Sequence, residues 1–373
     1  MTTMVAAQDK QFTIASLNVD GLPQKVLFLD INANGPGKEG SLRIGKYLAE
    51  KSYDMVFMQE DFNFHTELAL PMACQYNFDK WSGSVGLLSK KIDFLHLQNL
   101  RFDCDGLGAA WKGCIKARCT DREAWNDVFG KFSHANDELA TKGFRRYEAT
   151  LPSGLELVVY NVHMDAGDDY DEKNGNDYGD RLARLGEWQQ LLDHILPRID
   201  ERPIIILGDM NSYYCRDQIE ASFIDAINAT GMAEAHDAWI ELEKDGQYPE
   251  PIEGIVYSEQ QGFNHGGETL DKIIYINPAD GPKLTPVRYT CDKEDYQHEG
   301  KALGDHYPIA ATFEVSNLER FIGNFSSGVS NIAAEAEQSS TLYDLSGRKM
   351  NSQTAKGLYI ERKGNNTRKR IIK

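Results

Sequence analysis

Short apolar runs, each closed or opened by polar groups, recur between residues 11 and 316. The clearest is Pro203-Ile204-Ile205-Ile206-Leu207, which runs into Gly208-Asp209-Met210-Asn211. A β-branched run of this length reads as a buried strand. Residues two apart project from one strand face, so Asp209 and Asn211 are expected side by side. Similar runs cover residues 12–17, ending at Asn18; 53–58, ending at Gln59-Glu60; and 157–160, ending at Asn161-Val162-His163. Leu270-Asp271 opens the run 273–276, and Gly304-Asp305-His306 precedes the run 307–313. Between strand-like runs the period changes. From Asp180 to Leu196, Leu182, Leu185, Leu192 and Ile195 fall at helical spacing. Alternating strand and helix patterns predict an α/β (α+β) fold, with the polar strand ends where such sheets bind ligands.

Two carboxamides, four carboxylates and two imidazoles are thereby expected at one sheet edge. That mixture suits metal and phosphate. A hard divalent cation such as Mg²⁺ takes oxygen ligands, keeps several waters and needs only one or two carboxylates; Glu60 is the candidate. Such a cation also accepts a phosphoester oxygen and offsets charge developing at phosphorus. Neutral Asn18 and Asn211 orient phosphate oxygens or water without adding repulsion. A histidine oriented by a carboxylate suits the deprotonation of water, and Asp271 with His306 is the expected pair.

The ordered segments "SLNVDGLP", "FMQED", "YNVHMDAG", "LGDMN", "LDKIIY" and "GDHYPI" resemble the endonuclease/exonuclease/phosphatase (deoxyribonuclease I-like) superfamily over roughly residues 11 to 315. That resemblance implies a four-layer αβ sandwich: two packed mixed β-sheets flanked by helices. It also implies a phosphoric ester hydrolase using Mg²⁺, with Mn²⁺ or Ca²⁺ as alternatives. Asn18, Glu60 and Asp305 would then lie near the metal, and Asp209 and Asn211 would position nucleophile and phosphate. His306 would be the base with Asp271 behind it, and His163 would stabilise the transition state or assist the leaving oxygen. Asn161, Asp165 and Lys272 are the expected substrate contacts.

The segment 161–167 resembles secreted neutral sphingomyelinases, as does Lys142-Gly143-Phe144. A nuclease is expected to offer basic surface to successive phosphates, whereas 40 Lys plus Arg stand against 57 Asp plus Glu, a net charge of −17. The charge disfavours nucleic acid, and the resemblance implies a phospholipid phosphodiester, with nucleases and inositol-phosphate phosphatases as alternatives in the superfamily. A non-catalytic surface-binding protein on the same fold is the alternative from another class. Peripheral membrane contact fits the phospholipid reading, and no obligate protein partner is expected.

Residues 102–142 read as an insertion whose Trp111, Trp125, Phe129 and Phe132 either pack on the sandwich or form an apolar lip. Asp168, Asp169, Asp171, Asp177 and Asp180 mark a solvated acidic loop, since Lys173 and Asn174 break a calcium-loop pattern. Six cysteines include no Cys-x-x-Cys pair, so a structural zinc site is not expected; Cys104 is left to pair with Cys114 or Cys119, or all stay free. No apolar run approaches about 20 residues, so a transmembrane helix is not expected. Residues 1–10 read as an N-terminal extension and 317–340 as a linker. The tail 341–373 reads as a small β appendage resembling the sorting domains of secreted Bacteroidetes proteins, which implies a secreted, cell-surface or periplasmic protein.

Overall fold

The computed structural model describes residues 10–26, 29–30, 32–81, 106–126, 142–166, 179–250, 263–264, 268–318, 341–343, 357–363 and 366–372. The acidic stretch 167–178, Phe129 and Phe132, Cys104, residues 1–9 and the linker 319–340 fall outside them.

The first unit, residues 1–318, holds two six-stranded sheets. The twelve strands are β1 (Gln11–Asn18), β2 (Met55–Gln59), β3 (Tyr76–Phe78), β4 (Gly108–Lys112), β5 (Lys116–Ala124) and β6 (Gly143–Thr150), followed by β7 (Glu156–His163), β8 (Ile204–Asp209), β9 (Ala233–Asp237), β10 (Asp271–Pro278), β11 (Lys283–Cys291) and β12 (Ile309–Ser316). One sheet runs β11-β12-β1-β2-β4-β3 and the other β9-β10-β8-β7-β6-β5. Both are mixed: β1 pairs parallel with β2 and antiparallel with β12, and β8 pairs parallel with β7 and antiparallel with β10.

The strand period explains the layers. Ile205 and Leu207 of β8 face the other sheet, among Leu157, Val159, Ile273 and Tyr275 of their own and Phe12, Ile14, Met55 and Phe57 opposite. Ile204 and Ile206, one step out of phase, pack with Trp188, Leu191, Leu192 and Ile195 of helix α2 (Gly179–Ile195). Ala15, Leu17, Val56 and Met58 likewise meet Ile44 and Leu48 of helix α1 (Gly37–Lys51). A strand covered on both faces has no exposed position, as the fully buried β8 shows. The layers are therefore helix, sheet, sheet, helix, as in an αβ sandwich.

Two expectations change. Residues 108–124 are not an insertion: they form β4 and β5, one in each sheet, and Trp111 is buried between the sheets. The α2 stripe is also displaced. Leu182 is exposed, while Arg184 and Glu187 are buried beside Trp188, because this face meets polar loops rather than only the sheet. Cys114 carries a free thiol. The second unit, 319–373, contains a three-stranded antiparallel sheet of β13 (Thr341–Tyr343), β14 (Gly357–Lys363) and β15 (Asn366–Ile372).

Candidate active site

Three neighbouring strands of one sheet deliver polar side chains in register. Asp209 pairs with His163 across the parallel β8/β7 ladder and with Asp271 across the antiparallel β8/β10 ladder. Each continues the inward-facing set of its strand: Ile205 and Leu207, Leu157 and Val159, Ile273 and Tyr275. The facing sheet supplies Asn18 at the end of β1, opposite Gln59 in the parallel ladder, with Glu60 following β2. His306 lies just before β12. Polar ends from both sheets therefore meet at one rim of the sandwich.

Asp209 is the hub. Its Oδ2 accepts from Asn18 Nδ2 at 3.0 Å, and its Oδ1 accepts from the Asn211 backbone N–H at 3.0 Å. The same Oδ2 lies 3.5 Å from His163 Nε2 and 3.5 Å from His306 Nε2. Burial alone would raise its pKa, but His306, His163 and Lys142 outweigh that and hold it below the ordinary value. His306 Nδ1 contacts Asp271 Oδ2 at 2.7 Å. Burial pulls His306 down, yet Asp271, Asp209 and Asp305 hold it well above 6.5. His163 moves the other way: burial and the Lys142 ammonium push it well below 6.5, against Asp209. The site thus holds two imidazoles with opposite proton affinities.

Glu60 departs from the strand alternation that Met55, Phe57 and Gln59 follow. Its φ of 55° places it in the left-handed region, and its Oε1 accepts from Asn18 Nδ2 at 3.0 Å and lies 3.8 Å from His163 Nε2. Asn18 Oδ1 is occupied by the Asp20 backbone N–H at 3.0 Å, so Asn18 offers the carboxylates its amide nitrogen. Burial and Asp305 push Glu60 up to about 6, with Lys142 and Asn18 opposing. Asp20, also at left-handed φ, is raised to about 8 by burial, Asp305 and Glu60. Carboxylates forced upward together mark negative charge that the protein's own cations leave uncompensated. A hard cation fits that oxygen-rich donor set, with Glu60, Asp305 and Asp20 as the residues that would hold it.

Asn211 has a φ of 47° and donates from Nδ2 to the Met164 carbonyl at 3.0 Å. Lys142 Nζ reaches that same carbonyl at 3.1 Å. Lys142 stands in the sequence only as part of the Lys142-Gly143-Phe144 resemblance, and Asp20 is not among the expected site residues. Asp20 lies two residues after Asn18, a spacing that signalled it; the position of Lys142 depends on β6 lying beside β7.

The expected substrate contacts sit elsewhere in the packing. Lys272 follows Asp271 and so faces the opposite side of β10, where its buried ammonium meets Glu268 Oε1 at 3.1 Å and the Thr269 carbonyl at 2.9 Å. Asn161 lies one inward step deeper than His163 and bridges the sheets, donating to the Met58 and Gly108 carbonyls and accepting from Gln59 Nε2 at 2.7 Å. Asp165 is buried, with its backbone N–H donating to Glu187 Oε2 of α2 at 2.9 Å. Lys272 and Asn161 thus each hold structural partners in the packing.

No protein-family model matches the chain. It is 25% identical over 303 residues, 81% of its length, to a sphingomyelinase of Mycobacterium bovis. The chain spans about half, 52%, of that relative. Among solved structures, an endonuclease/exonuclease/phosphatase from Bacteroides vulgatus aligns at TM-score 0.51 and 14% identity, over 82% of this chain and 99% of that one. TDP2 of D. rerio, complexed with a single-strand DNA product, aligns at TM-score 0.51 and 18% identity, over 82% and 100%. The chain has the deoxyribonuclease I-like fold of the endonuclease/exonuclease/phosphatase proteins.

Proposed function

We propose that this chain is a Mg²⁺-dependent phosphodiesterase that cleaves a sphingomyelin-type phospholipid. The observation that carries the hydrolase reading is the Asp209 hub, with two buried imidazoles of opposite proton affinity 3.5 Å on either side. Similarity to the mycobacterial sphingomyelinase over 81% of the chain supports the lipid substrate, as does the net charge of −17.

The residues divide the work. Asp271 holds Nδ1 of His306, so that once the imidazole is deprotonated, which its raised pKa moves to higher pH, Nε2 accepts a proton from an attacking water. Asp209 and Asn211 orient that water and a phosphoryl oxygen. His163 is kept neutral by burial, so its Nε2–H is a donor for charge developing on the phosphoryl group or the leaving oxygen. Lys142 adds positive charge beside the same carbonyl that fixes Asn211. A divalent cation, when bound by Glu60, Asp305 and Asp20, supplies Lewis-acid charge that polarises the phosphoryl group and offsets the carboxylate field.

The test is hydrolysis of sphingomyelin vesicles, duplex DNA and an inositol polyphosphate by the full chain in Mg²⁺. Phosphocholine release that disappears with EDTA and with His306→Ala is the expected result. Acid-soluble nucleotides without phosphocholine would overturn the lipid substrate, and undiminished turnover by His306→Ala would overturn the mechanism. Export belongs to the same proposal, resting on the resemblance of residues 341–373 to sorting domains; retention of the expressed protein in the cytoplasm of its native host would refute it.

A further inference from the structure

A second group of metal-ligating side chains lies outside the active site, where the edge strand β5 meets α2. Asp121 and Glu123, two apart on β5, turn the same face toward His194 of α2. His194 Nε2 lies 3.0 Å from Asp121 Oδ2 and 3.7 Å from Glu123 Oε1. All three ligand atoms fall within 4.8 Å of one another. Ligands about 2.1 Å from a tetrahedral ion are separated from each other by about 3.4 Å, so the two His194 separations of 3.0 and 3.7 Å bracket what a shared ion requires, and the Asp121–Glu123 separation is within 4.8 Å.

Each ligand is also held from behind. Tyr160 OH lies 3.2 Å from His194 Nδ1, and Phe144 packs edge-on against the imidazole at 4.8 Å, so the buried ring cannot turn away. The far oxygen of Asp121 accepts the Arg122 backbone N–H at 2.9 Å. That of Glu123 accepts Gln190 Nε2 at 3.2 Å, from one turn earlier on α2. The near oxygens and Nε2 thus converge on one point, with outer partners of the kind that orient metal ligands. Both carboxylates are 40% exposed, which leaves an entry path and an open position for water. Arg198 Nη2, at 3.9 Å from Asp121 and 41% exposed, lies at the margin.

We propose that Asp121, Glu123 and His194 form a peripheral site for a divalent transition metal, zinc by ligand type, that pins β5 to α2. The two carboxylates balance the charge of a divalent ion, and the neutral imidazole selects zinc over Mg²⁺ or Ca²⁺. The strand that the ion would anchor leads directly to Trp125, whose Nε1 donates to the His163 carbonyl at 2.7 Å. A metal here would therefore brace the active-site rim from outside.

The experiment compares the full chain with His194→Ala and the exposed-site variant Glu123→Gln, all in excess Mg²⁺, by equilibrium dialysis against zinc and by visible absorption after cobalt substitution. The wild-type protein should bind one zinc equivalent more than either variant, show cobalt bands that both lack, and gain thermal stability on zinc addition. Equal zinc uptake and identical cobalt spectra in the three proteins would overturn the proposal, whatever ion the Glu60 site takes.

Discussion

At the scale of single residues, partner and facing direction separate catalytic groups from structural ones of the same type. Asp271 faces inward and aligns His306; Lys272, its neighbour, faces outward and is neutralised by Glu268. Lys272→Met should therefore leave Glu268 buried without its counter-charge and lower stability by roughly 3–5 kcal/mol. Urea denaturation reads that loss, while kcat per folded molecule should stay within about twofold; a selective loss of kcat would return Lys272 to the site. Asp271→Asn should do the reverse. The Asp271 carboxylate raises the His306 pKa, so its neutralisation lowers that pKa and moves the acid limb of the pH–rate profile to lower pH. With the imidazole no longer aligned, kcat should fall by about 10²-fold or more. An acid limb that stays in place would contradict the pairing.

At the scale of elements, close strand packing sets where the carboxylates stand. Gly208 has a φ of 145°, and a Cβ there would lie 1.9 Å from the Val162 carbonyl oxygen of β7. Backbone cannot yield as a flexible side chain can, so Gly208→Ala should force β8 from β7 and displace Asp209 from His163. The expected outcome is about 3 kcal/mol or more of lost stability with loss of turnover, measured by thermal unfolding and phosphodiester assay. Glu148 of β6 ties its sheet to Arg202, Arg146 and Arg118. Burial opposes ionisation there, but the three guanidiniums prevail and bring its pKa down from 4.5 to about 2. A carboxylate depressed on folding contributes stability fully above its unfolded pKa and loses it as pH falls through the folded one. Glu148→Gln should cost about 1 kcal/mol at pH 7, screened because the side chain is partly exposed, and only a small fraction of that near pH 2. A cost equal at both pH values would show that packing, not charge, is responsible.

At the scale of the whole molecule, every catalytic candidate lies within residues 1–318, which carry their own core between and outside the sheets. A chain ending at Leu318 should fold cooperatively and keep the full chain's Mg²⁺-dependent turnover within about twofold; loss of activity with retained folding would give residues 319–373 a catalytic part. Local pattern was enough to reveal much of this molecule. Apolar runs of period two marked the strands, and their polar ends marked Asn18, His163, Asp209, Asp271 and His306, because side-chain direction along a strand follows from covalent geometry alone. Non-local pairing decided the rest. Residues 108–124 became strands of the two sheets only because partners distant in sequence accept them, and Asn161 became a bridge because the second sheet lies opposite it. Glu60 enters the site through a left-handed backbone turn, and Asp20 and Lys142 through neighbours on other strands. Local pattern places the chemical groups at the strand ends; which of them share one charge field is set by the folded packing, since that field depends on distances between residues far apart in the chain.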